Sequence, residues 1–129
     1  MSLPCTGGTP WTYINLRHPT GSRKVKQHRR KFAVLWTSLV EFLSVLLKVH
    51  VAIEWPRGCT YWGLPKVRKL IDKLRLVSYH FDGCAVGLKG KDNLPIKKPW
   101  TVATTHEEIG KVLSEFQCSC NMQHAEGRG

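Results

Sequence analysis

The chain has 129 residues, 42% hydrophobic and 22% charged, which is the make-up of one globular domain and excludes a disordered tail. Its 20 Lys and Arg outnumber 9 Asp and Glu, for a formal net charge of +11, and an excess of that size favours polyanionic partners without saying which sequence they carry. Five cysteines is an odd number, and no basic region leading into an apolar stretch opens the chain. A disulfide scaffold is therefore not expected; the thiols read as reduced, buried, metal-bound or catalytic, in a nuclear or cytoplasmic and not a secreted protein.

Residues 1–4 read as the end of a strand, and residues 5–22, rich in Gly, Pro and Thr, as a loop. The hydrophobic run that such a loop normally follows is missing, so the chain reads as N-terminally truncated. Arg17, Arg23, Lys24, Lys26, Arg29, Arg30 and Lys31 come next, while the first acid of the chain is Glu41. Seven cations with nothing to offset them predict phosphate contacts, helped by backbone N–H groups at a helix start. Two sparser groups, Lys66, Arg68, Lys69, Lys73 and Arg75, then Lys89, Lys91, Lys97 and Lys98, read equally well as solvated faces.

A helix is predicted over residues 25–48, where Phe32, Leu35, Trp36, Leu39, Val40, Leu43, Leu46 and Leu47 recur at three- and four-residue steps. Its apolar half is long enough to suggest a membrane span. Glu41 argues against one, because a carboxylate mid-span costs about 2.5–3.5 kcal/mol even on insertion scales.

Residues 50–55 then form a short apolar run halted by Pro56, a buried strand. Trp55, Tyr61 and Trp62 gather around the following loop, where a ring could stack on a base or simply pack in the core. Pro65 opens a second helix over 65–74, with Val67, Leu70, Ile71 and Leu74 on one face.

Residues 77–81 alternate as a strand does, Asp82-Gly83 turns, and 85–88 briefly resume extended structure. A loop over 90–99 leads to a strand at 100–104. Thr105 then caps a helix over 106–116, with Glu108 at the capping-box position. Helices alternating with short apolar strands predict an α/β domain over residues 1–117, its sheet mostly parallel with helices on its faces. Residues 118–129 form a Cys/His-containing tail.

In such sheets, sites form in loops beyond the carboxyl ends of strands. Cys5, Glu54 and the segment from Asp82 to Cys84 all fall at positions of that kind. Cys5, at the start of a Gly/Thr loop, could be an exposed thiol whose pKa is lowered by backbone N–H groups and cations, a nucleophile in the making. Glu54, ending an apolar strand, would have its pKa raised by desolvation and could act as an acid. Cys118, Cys120 and His124 offer three zinc ligands within a short stretch, and zinc takes four, tetrahedrally arranged. Cys84, Cys59 or His106 could supply the fourth.

Pro4-Cys5-Thr6, a helix, then Glu54-Trp55-Pro56 resembles the core of cytosine-5 DNA methyltransferases, with their Pro-Cys loop and a strand ending in a Glu motif. Over nearly its whole length the chain resembles methyltransferase-like segments of retroelement-type polyproteins. That likeness is carried by Pro4-Cys5-Thr6 with Trp11, Glu54-Trp55-Pro56, the motif from Asp82 to Leu88, Lys98-Pro99-Trp100 and the Cys118 to His124 cluster. It implies a partial Rossmann-like fold, Cys5 as nucleophile toward a flipped-out cytosine, Glu54 as its partner acid, and S-adenosylmethionine as cofactor of the complete parent domain, not of this chain alone.

The Gly-rich cofactor loop of that family would lie before Met1, and Trp55-Pro56 replaces the usual Asn-Val. The expected function is a nucleic-acid-binding fragment, inactive alone, with DNA or RNA and the remainder of a polyprotein as partners and no membrane. The alternative is a non-catalytic zinc-binding module that contacts nucleic acid or protein.

Overall fold

The computed structural model describes residues 3–9, 12–46, 48–119, 121 and 123–125. A one-turn helix α1 (Thr12–Asn15) is followed at once by α2 (Pro19–Val45). The longest helix therefore begins six residues before the sequence suggests. Pro19 and Gly21 look like breakers, yet Pro is tolerated in a first turn, where its missing N–H has no intrahelical role. Gly21 serves the close approach of the two helices, since a Cβ there would run into the Asn15 carbonyl.

Val25, Phe32, Trp36 and Leu39 make the buried stripe of α2. The chain then enters β1 (Ala52–Pro56), whose inward residues Ile53 and Trp55 are 4% and 1% exposed. A 3-10 turn (Thr60–Gly63) leads into α3 (Pro65–Leu74), which buries Val67 and Leu70. Arg75 ends that helix in the left-handed conformation (φ 55°), returning the amides of Arg75 and Leu76 to the Asp72 and Ile71 carbonyls.

β2 (Val77–Asp82) and β3 (Pro99–Thr104) complete one sheet of order β1-β3-β2, with β3 antiparallel to both neighbours. The expected mostly parallel, Rossmann-like sheet is therefore not supported. The sheet is a three-stranded antiparallel one. The physical reason lies between β2 and β3. Adjacent parallel strands need a crossover, usually a helix, whereas this connection holds only a 3-10 turn (Gly83–Val86) and a loop. The strand therefore comes back in the opposite direction and slots between the first two. That 3-10 turn also replaces the extended structure expected at 85–88.

Residues paired across antiparallel strands share a face. Ile53, Trp55 and Ala103 face α2 and α3 and join Phe32, Trp36, Leu39, Val67 and Leu70 in the core. Tyr79, paired with Val102, points the other way and meets α4 (Glu107–Ser114). Gly110 makes that contact possible, since a Cβ there would overlap the Tyr79 ring. The cap of α4 is His106 and not Thr105: the His106 ring accepts from the Ile109 N–H, while the Thr105 hydroxyl accepts from the Val51 N–H. No helix among the described residues is long and apolar enough to cross a membrane.

Candidate functional site

The turn after β2 presents Cys84, and Gly87 (φ 89°) closes it with the Leu88 amide on the Gly83 carbonyl. The chain beyond α4 folds back onto this turn. The Asp82 amide donates to the Phe116 carbonyl at 2.9 Å, and the Asp82 carboxylate accepts from the Cys118 N–H at 2.8 Å. Further along, the Ala125 N–H donates to the Pro95 carbonyl at 3.0 Å.

Between these anchors the donor atoms of Cys84, Cys118 and His124 all lie within 4.8 Å of one another, each residue half-buried. Cys118 Sγ is 3.4 Å from His124 Nε2. The three side chains together could hold a metal ion. Of the expected ligands, Cys120 lies outside the described residues. Cys59 is in the hydrophobic core, and His106 caps α4 with its ring 4.8 Å from that of His50, so neither joins the group. Asp82 is the residue that sequence reasoning passed over: 6% exposed, it ties the tail to the sheet through a backbone amide. No spacing rule announces a carboxylate in that role.

Cys5 and Glu54 feel each other's charge, and Lys98 acts on both. Burial pushes the Cys5 thiol up, against the pull of the Lys98 ammonium. That reverses the sequence expectation of a lowered thiol pKa: the half-buried sulfur loses more from leaving water than it gains from one cation. Glu54 is likewise raised, by desolvation first with Lys98 opposing, but the residue is exposed overall and water limits the effect. Leu3 and Pro4 form no strand before Cys5, and Glu54 sits in the middle of β1 rather than at its end. Lys98, which the sequence offered only as part of a solvated cluster, also lies 4.6 Å over the Trp100 ring.

Arg17, Arg23, Lys24, Lys26, Arg29, Arg30 and Lys31 are all exposed. At 100° per residue, Arg23, Lys26 and Arg30 lie away from the buried stripe of α2, and Lys24 and Lys31 on one flank. None of the seven forms a salt bridge with a described residue; Glu107 and Lys111 on α4 do, at 2.7 Å. Arg29 Nε donates to the Gly7 carbonyl at 3.0 Å.

The aromatic residues expected to stack on bases are placed differently. Tyr61 is 3% exposed and its ring lies on Phe32, centroids 3.9 Å apart, so it offers no open face to a base. Trp62 is half-buried, edge-on to Trp55, with its indole N–H on the Pro56 carbonyl. Both rings anchor the loop after β1 to the core. Trp11 lies outside the described residues. No protein-family model, curated protein or solved structure matches this chain.

Proposed function

We propose that this protein binds the phosphate backbone of nucleic acid through α2 and uses zinc to fasten its C-terminal segment to the sheet. The observation that carries the binding reading is the seven exposed cations at residues 17–31, none neutralised by an acid of the described residues. Charges left unpaired on a folded surface remain available to displace counterions from DNA.

The donor set supports zinc. Two thiolates and an imidazole are its preferred ligands, and bond lengths near 2.3 and 2.0–2.1 Å at a tetrahedral angle put sulfur and nitrogen about 3.5 Å apart. The observed 3.4 Å fits. Cys84, Cys118 and His124 would hold the ion, and its role there is a cross-link in a tail with little apolar surface of its own. The motifs shared with methyltransferase-like polyprotein segments favour the same nucleic-acid reading, with Cys5 and Glu54 as remnants of a reacting centre.

Fluorescence anisotropy with a labelled duplex over a range of salt tests the binding. With about five phosphates contacted, log affinity should fall against log salt with a slope of about −4 to −5. Arg23→Ala with Arg30→Ala should weaken all sequences alike and flatten the slope by up to about 2. Salt-insensitive binding, or none at low salt, would sink the reading.

A further inference from the structure

Tyr61 buries a hydroxyl that makes no hydrogen bond with the described residues, although the residue is 3% exposed. A buried polar atom without a partner forfeits the hydration it had in the unfolded chain, and in a native structure it marks a group still to be supplied. The Gly7 N–H lies close enough to favour the phenolate but makes no proper hydrogen bond to it. Room for the ring exists because the Gly7-Gly8 loop has no side chains: a Cβ at Gly7 would collide with the Tyr61 hydroxyl and with Arg29. Burial raises the Tyr61 pKa above its ordinary value, so the hydroxyl keeps its proton to donate.

Tyr61 lines a cavity of about 350 Å³ with Arg29, Phe32, Thr60, Leu64 and Lys66. Its polar lining is of one kind. Arg29 spends its Nε on the Gly7 carbonyl, and neither Arg29 nor Lys66 is in a salt bridge with a described residue. The Lys66 ammonium is held 5.1 Å over the Phe32 ring. Two cations and two hydroxyls surround the space, and no carboxylate does. A guanidinium, an ammonium and hydroxyl donors suit a group with several anionic oxygens, above all phosphate. Phe32 is already stacked on Tyr61, so a base gains no ring face here.

We propose that the cavity walled by Arg29, Thr60, Tyr61 and Lys66 is a phosphate site, in which a phosphoester takes a hydrogen bond from the Tyr61 hydroxyl. The proposal deepens the nucleic-acid reading and rests on it for the source of the phosphate. Either a backbone diester or a terminal monoester of a polynucleotide carries the required chemistry.

The test compares wild type with Tyr61→Phe, by thermal shift with inorganic phosphate and by anisotropy with a short single strand, with and without a 5′-phosphate. In phosphate-free buffer, Tyr61→Phe should be at least as stable as wild type, because it removes only the unpartnered oxygen. It should nonetheless bind the phosphate-bearing probe about tenfold more weakly, the worth of one hydrogen bond to a charged group. A loss confined to the 5′-phosphorylated strand assigns the site to a monoester; an equal loss on both strands assigns it to the backbone.

Equal binding of every probe by wild type and Tyr61→Phe overturns the proposal. So does a Tyr61→Phe protein less stable than wild type without ligand, which would mean the hydroxyl is satisfied internally. The two readings fail separately. A normal salt slope on duplex with no effect of Tyr61→Phe leaves α2 binding standing and removes the pocket. Tyr61-dependent binding of inorganic phosphate without any duplex binding does the reverse.

Discussion

Trp55 is 1% exposed, and its ring meets Phe32, Trp36, Tyr61 and Trp62 at centroid distances from 4.8 to 6.2 Å, while its indole N–H donates to the Leu3 carbonyl. Truncating such a side chain removes packing and leaves a buried acceptor unpaired, so Trp55→Ala should cost about 3–5 kcal/mol in urea unfolding. A cost below about 1 kcal/mol would mean this aromatic core is not formed.

Cys59 makes a second residue-scale prediction. Burial raises its thiol from the ordinary value of 9.0 to about 11. Between those values the unfolded chain has released the proton and the folded one still holds it. Stability must therefore fall as pH rises from 9 to 11, and be unaffected by this thiol below 9. Unfolding free energy measured across that range should decline less in Cys59→Ala than in wild type, each referred to its own value at pH 8. The sequence made the density of aromatics plain but not their assignment. Trp55, Tyr61 and Trp62 follow a strand end, a position equally suited to a site and to a core, and only their contacts with Phe32 on a distant helix decide it.

At the scale of elements, what was legible is what periodicity encodes. The α3 bounds, the three strands within a residue or two, and the inward stripe of α2 all follow from apolar spacing and from Pro65. Strand direction does not. An apolar run reads the same forward and backward in a sheet, and direction is set by the connection, where a 3-10 turn took the place of a crossover helix. Close approach is similarly hidden, since a glycine in a helix reads as a breaker until its neighbour is known. Gly110→Ala should force α4 off the Tyr79 ring and cost about 1–3 kcal/mol. Gly63→Ala, whose Cβ would meet nothing within 4 Å, should be close to neutral. Thermal unfolding of the two variants side by side checks this, and equal effects would place α4 elsewhere.

Across the whole molecule, the C-terminal segment is attached by little more than backbone hydrogen bonds to Asp82 and Pro95 and by the Cys84, Cys118 and His124 group. The sequence displayed Cys118 and His124 as neighbours, but Cys84 is distant in the chain and reaches them only because the tail folds back over the turn after β2. If zinc joins these three, it binds the folded state in preference to the unfolded one. At a free zinc concentration a hundredfold above its dissociation constant, the added stability is about 2.7 kcal/mol.

A chelator should remove that increment from wild type and leave Cys118→Ser unmoved, while Cys59→Ala, outside the group, should respond as wild type does. The ligands must lose their protons to bind, so the increment should shrink as pH falls through the imidazole and thiol ranges. Cobalt offers an independent readout, because thiolate ligation gives it intense absorption bands that carboxylates and water do not. Those bands should appear in wild type, weaken in Cys84→Ser and in Cys118→Ser, and be absent when both are changed. Full bands in the double variant, or a melting temperature indifferent to chelation, would leave the tail held by its hydrogen bonds alone.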